Sequence, residues 1–196
     1  MIMKKTTCGF LLAIGLCCSA LHTSAEPAGK GGGRAAFMKG DNTLGFSMGL
    51  GHQYHASTSH LPAFAINYDH GIVDNVGPGT IGIGGIVGWQ RSVIDYANYH
   101  QEAWTNFIVG FRATYHLTIL KDKNNKFDPY GGLTVGIRSE TYRNEPQGNH
   151  NADFTDVKPL VGPFIGAKYN FRPQFGAFSE LGFDVAFFKI GLHVNF

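Results

Sequence analysis

The last eleven residues, Ala186 to Phe196, place the tightest constraint on what this chain can fold into. Every second one is apolar: Ala186, Phe188, Ile190, Leu192, Val194 and Phe196. Between them stand Phe187, Lys189, Gly191, His193 and Asn195. A period of two is the signature of a β-strand with two unlike faces. The apolar face reaches the final residue, where a soluble domain is usually frayed and polar. Such an end needs pinning, and pairing with the first strand would pin it. The expectation is a closed barrel.

The alternation recurs upstream. Leu44, Phe46, Met48, Leu50 and Tyr54 alternate with Gly45, Ser47, Gly49, Gly51 and Gln53. Phe64, Ile66, Tyr68 and Ile72 alternate with Ala63, Ala65, Asn67, Asp69 and Gly71. Ile81, Ile83, Val87, Trp89 and Val93 oppose Gly82, Gly84, Gly88, Gln90 and Ser92, with Ile86 a misfit. Phe107 to Leu117, Leu133 to Ile137 and Val161 to Phe171 repeat the pattern, the last less cleanly because Leu160 and Phe164 fall on its polar face. Phe175, Ala177, Leu181, Phe183 and Val185 oppose Gly176, Glu180, Gly182 and Asp184. With the closing segment this makes eight strands of about ten residues, the length a tilted strand needs to cross a bilayer. The fold expected is all-β, an eight-stranded antiparallel up-and-down transmembrane β-barrel over 44–196.

Alternation alone does not separate a lipid-facing surface from a soluble core; the opposite face does. It is mostly Gly, Ser and Asn, with charges matched by sign: Asp69, Glu140, Glu180 and Asp184 against Arg112, Arg138, Lys168 and Lys189. Small residues with balanced charge describe a narrow lumen in which each charge needs a partner. Phe164, Phe178 and Phe187 point inward by phase and would fill it. The apolar face carries almost no charge; Arg91, beside Trp89, is the exception and could snorkel. Tyr54, Trp89, Trp104, Tyr115, Tyr169, Phe171, Phe175 and Phe196 fall toward strand ends, as interfacial girdles do. Gly, at 27 of 196 residues, is about twice its usual share, and the 15% charged residues fall below the roughly 25% of soluble proteins.

The start reads as a separate module. Lys4 and Lys5, the apolar run Cys8–Leu21 and Thr23-Ser24-Ala25 have the layout of a secretory signal peptide, assigned to 1–25 with Ala20 as the alternative cleavage point. Cys17 and Cys18 follow Leu16 and Cys17, not the small residue that lipidation requires, so no lipid anchor is expected. All three cysteines lie in this segment, so the remainder holds no disulfide. Removing its two lysines leaves 14 basic against 14 acidic residues, and no basic patch for nucleic acid. Residues 26–43, rich in Gly, read as a flexible periplasmic lead-in.

Pro129-Tyr130-Gly131-Gly132-Leu133-Thr134-Val135-Gly136, Gly79-Thr80-Ile81-Gly82-Ile83-Gly84-Gly85 and Lys189–Phe196 resemble the small outer-membrane β-barrel proteins of the OmpX/OmpA-barrel type. The resemblance covers Leu44 to Phe196 and speaks to architecture more than to activity. It implies a bacterial outer-membrane location with both termini periplasmic, outer-membrane lipid and lipopolysaccharide as surroundings, and an extracellular ligand held by the loops. It also implies an assembly signal, carried here by Ile190, Leu192, Val194 and Phe196, read by the barrel-assembly machinery. Connections one, three, five and seven then face outward, and the third (Ile94–Ala103) and fifth (Tyr142–Lys158) are the longest.

Three function classes compete. Surface interaction or envelope integrity comes first. Transport of a small solute or hydrophobic molecule comes second, weakened because an eight-stranded interior is filled by side chains. Lipid A modification comes third: His116 and His193 with Ser179 or Ser92 would be the candidates, but Ser179 faces lipid by phase and Ser92 lies at the opposite end. No enzyme, cofactor or metal is expected. His52, His55, His60, His100 and His150 sit near outward loops but match no compact ligand spacing.

Overall fold

The computed structural model describes residues 37–51, 59–96, 100–118, 126–146 and 154–196, all within the unit Gly32–Phe196. Nine antiparallel strands form one sheet: β1 (Asn42–Leu50), β2 (Ser59–His60), β3 (Ala63–Val76), β4 (Gly79–Tyr96), β5 (His100–Leu117), β6 (Phe127–Pro146), β7 (Phe154–Arg172), β8 (Phe175–Gly182) and β9 (Phe188–Asn195). β2 and β3 both pair with β4. They are one stave interrupted at Leu61-Pro62, where proline removes a ladder donor. Eight staves therefore follow one another in chain order. The ring closes where β1 meets β9: Leu44 faces Val194, Phe46 faces Leu192 and Met48 faces Ile190. The terminal alternation is satisfied by the first strand, and no free sheet edge remains along that seam.

Side-chain phase sorts the wall as the pleat dictates. Leu44, Phe46, Met48, Ile66, Ile83, Val109, Phe111, Val135, Val161, Ile165, Leu181, Ile190, Leu192 and Val194 are exposed on the outside. Ser47, Asn67, Asp69, Arg112, Thr114, Thr134, Lys168, Glu180 and Lys189 are buried within. At one end lie the two termini of the barrel and the turns at 77–78 and 173–174; we call it the terminal end, and the opposite one the loop end. Toward the loop end the outer apolar belt stops at Trp89 and Phe107. The next outward register holds Arg91, Thr105, Thr141 and Thr155, a polar ring.

Several sequence expectations change. Ile72 does not share the outer face cleanly: a register shift between Gly71 and Val73 places Val73 outward opposite Ile81. Ile86 is no misfit, being buried in an apolar cluster with Ala63, Ala65, Ile108, Leu160, Val185 and Ala186. β9 begins at Phe188, so Val185 and Ala186 leave the outer face and are fully buried, while Phe187 is exposed and not in the lumen. Residues 184–186 turn inward where Gly88 and Gly49 leave room. A Cβ at Gly88 would stand 2.5 Å from a Val185 methyl, and one at Gly49 the same distance from Ala186 Cβ.

The long polar connections also shrink. β4 and β5 continue to Tyr96 and from His100, and β6 and β7 continue to Pro146 and from Phe154. Much of what reads as loop is strand, part of it projecting past the polar ring. The wall is consequently uneven: β4 to β7 have 18, 18, 20 and 19 residues, against 9, 8 and 8 in β1, β8 and β9. Finally, Phe37 to Thr43, expected within the lead-in, packs against the barrel. Gly40 N–H donates to Gly71 O and Gly71 N–H to Asp41 O, β1 already begins at Asn42, and Phe37 is buried.

Candidate functional site

The lumen is layered along its axis. In the middle layer Arg112 on β5 reaches across to three acids: Nη2 lies 2.6 Å from Glu180 Oε1, Nε 3.4 Å from Asp69 Oδ1, and Nη1 3.9 Å from Asp184 Oδ2. Lys189 on β9 lies 2.6 Å from Glu180 and 2.8 Å from Asp184, and Lys168 on β7 lies 3.8 Å from Asp69. Three cations meet three carboxylates, so the cluster is neutral. Burying single charges is costly, whereas a closed set with further hydrogen bonds is sustainable. Tyr130 supplies one such bond, its hydroxyl donating to Glu180 at 2.7 Å. The Phe164 ring lies under Arg112, 4.1 Å from the guanidinium carbon. Six of the eight lumen charges proposed from sequence thus occupy one cluster. Arg138 and Glu140 do not join it. They lie nearer the loop end, 3.6 Å apart, with Lys158 3.1 Å from Glu140.

The terminal layer was not legible. His116 Nδ1–H donates to the Asp128 carboxylate at 2.8 Å, and its ring is stacked on Phe37, 3.9 Å between centroids, with Tyr130 on the same ring at 5.0 Å. His193 Nε2 meets Asn170 Oδ1 at 2.9 Å. Phe37 and Asp128 gave no signal, because one lies in a Gly- and Lys-rich stretch and the other at the edge of a charged turn. This geometry does not assemble the nucleophile constellation considered for lipid A chemistry. His116 is bonded to Asp128, but Ser179 pairs with outward Ile190 and Ser92 lies on the loop-end stretch of β4.

At the loop end the projecting strands present an inner face. Trp104, Tyr142 and Phe154 stand in register across β5, β6 and β7. Their ring centroids are 5.2 and 5.3 Å apart. Trp104 therefore does not belong to the outer girdle: it shares the inward phase of buried Asn106 and Ile108. On the outside, Phe46, Phe64 and Trp89 form a stacked row at 6.2 Å spacings, and Tyr169, Phe171 and Phe175 form another near the terminal end. His52, His55 and His150 lie outside the described residues, as does Tyr54, and only the backbone is described at His60 and His100. Among the described residues no group of three or more His, Cys, Asp or Glu is placed to hold a metal ion.

A ring of eight antiparallel staves with an apolar exterior, a polar ring beyond the belt and a packed neutral lumen defines a transmembrane β-barrel. It is the architecture that the resemblance to small outer-membrane barrels implies. Neither family models nor curated protein sequences give a match to this chain. Solved structures similar to it include Ail, the attachment invasion locus protein of Yersinia pestis, at 14% identity over 81% of this chain and 100% of that one, with a TM-score of 0.49. A second Ail structure at the same identity and TM-score holds sucrose octasulfate, a heparin analogue. The N-terminal β-barrel domain of Pseudomonas aeruginosa OprF is 11% identical over 81% of this chain and 98% of that one, with a TM-score of 0.48. Neisserial surface protein A is 13% identical over 79% and 93%, with a TM-score of 0.38. The fold assignment rests on this chain's own strand pairing.

Proposed function

We propose that this is an integral protein of the bacterial outer membrane whose barrel is a closed anchor, and whose projecting β4–β7 strands serve surface interaction or envelope integrity. Both termini lie in the periplasm, and the projecting strands lie outside the cell. The observation that carries this reading is the neutral Arg112–Glu180–Asp69–Asp184–Lys189–Lys168 cluster, bounded by buried Phe37 and by buried Val185 and Ala186. Such a filling supports an anchor over a conduit, because a hydrated solute would have to displace paired, buried charges. It supports a non-enzymatic role as well: the six charged side chains of the cluster are engaged with one another as ion pairs.

The test is liposome swelling with purified protein. Sugar uptake no faster than in protein-free liposomes is expected, and rapid uptake would overturn the anchor. Protease treatment of intact cells should cleave within 147–153 and spare the turn at 173–174; the reverse pattern would invert the topology. Ile190, Leu192, Val194 and Phe196 share the exposed face of the closing strand, and we assign them the recognition surface for the assembly machinery. Deleting Phe196 should reduce the inserted fraction severalfold in a membrane fractionation, and undiminished insertion would remove that role.

A further inference from the structure

The inner face of the projecting strands carries side chains that neither the anchor nor the lumen cluster uses. Trp104, Tyr142 and Phe154 form a continuous aromatic row across three strands. One register step toward the lumen, on the same face of β5, stands Asn106, 1% exposed. Neither its Oδ1 nor its Nδ2 has a hydrogen-bond partner. Buried polar groups are nearly always satisfied, so a carboxamide with both functions unused points to a missing partner. A group that donates and accepts at once fits it, and a hydroxyl does both.

Charge narrows the class. Arg138 and Lys158, on this inner face, are already paired with Glu140, and Lys158 also lies 3.7 Å from Asp156. A polyanion would find its countercharges engaged. A neutral ligand with hydroxyls on its edge and apolar C–H faces finds aromatic faces and an amide, the mix of apolar walls and few polar groups typical of small-molecule sites.

We propose that this face binds a neutral saccharide, its apolar faces on the Trp104–Tyr142–Phe154 row and a hydroxyl on the Asn106 carboxamide. Asn106 is covered in the free protein, so binding includes a local rearrangement that exposes its carboxamide while the aromatic row stays in place. The proposal deepens the surface-interaction reading and rests on it for its biological side. The binding itself is measured on purified protein and does not depend on topology.

The protein, folded in dodecylphosphocholine so that no sugar detergent competes, is titrated with maltohexaose, chitohexaose and sucrose octasulfate. In a Trp89→Phe background the fluorescence reports Trp104 alone, and a saturable change with at least one neutral oligosaccharide is expected. By calorimetry, Phe154→Ala and Asn106→Leu should each weaken that binding about tenfold or more, whereas Val135→Ala on the outer face should leave it unchanged. A retained heat-dependent gel shift shows that each variant is folded. The proposal is overturned if neither neutral sugar binds at millimolar concentration, if only sucrose octasulfate binds, or if folded Phe154→Ala and Asn106→Leu bind as well as the parent. Those results would leave the anchor reading standing, which the protease pattern on cells tests separately.

Discussion

Arg112 has three carboxylates within 4 Å and no exposure to solvent, so its removal strands charge that the lumen cannot hydrate. Arg112→Met should destabilise the barrel by roughly 3–5 kcal/mol, the usual cost of breaking a buried ionic set from one side. The measurement is the urea midpoint of the folded, heat-modifiable band, and a shift no larger than that of an outer-face control would sink the argument. The charges of this cluster were legible because a strand period of two puts Asp69, Arg112, Lys168, Glu180, Asp184 and Lys189 on the face opposite Leu, Ile and Phe. Their grouping was not. Phase tells which way a side chain points, but the level at which it meets others across the lumen depends on strand register. That is why Arg138 and Glu140, in phase with the rest, belong to a separate pair. Tyr130 stands in the sequence only as part of the Pro129–Gly136 stretch that resembles small outer-membrane barrels, and nothing in its spacing announces that its hydroxyl meets Glu180.

Among the elements, the eight staves followed from alternation, while their ends did not. Polar residues in strand conformation look like loop when both faces meet water, so β4 to β7 run past the predicted borders at Val93, Asn106, Glu140 and Leu160. The inward turn at 184–186 was hidden likewise, since Val185 and Ala186 continue an apolar phase that the backbone abandons after Gly182. Gly88→Val should evict it: the added side chain would overlap Val185, costing about 1–3 kcal/mol as overpacking does. Faster amide exchange at 184–187 with the ring pairing intact is the expected readout, and unchanged exchange would refute the seat. On the closing strand, Leu192→Arg places a charge midway along the outer belt and should cost about 2–4 kcal/mol of folding free energy in bilayers. Thr105→Arg, in the polar ring beside Arg91, should cost about 0–1 kcal/mol. Equal costs would mean the belt is misplaced.

For the molecule as a whole, closure is the property that the terminal alternation announced and that the β1–β9 pairing delivers. A closed barrel should migrate faster unheated than heated on denaturing gels, and a single heat-insensitive band would count against it. Closure also sets an order of events. An open, curling sheet has no interior, so the ring stack of Phe37 on His116 has nowhere to form until β1 reaches β9. Yet Phe37 lies only five residues before Asn42, the first residue of β1. The strand that shuts the wall therefore carries its own stopper, and the terminal mouth is filled in the same motion that completes the seam. Any pause of a nascent barrel with the seam unzipped is also a pause with the mouth open. His116 is then a clock for assembly, reachable by a water-borne imidazole reagent before the last strands meet and shielded afterwards.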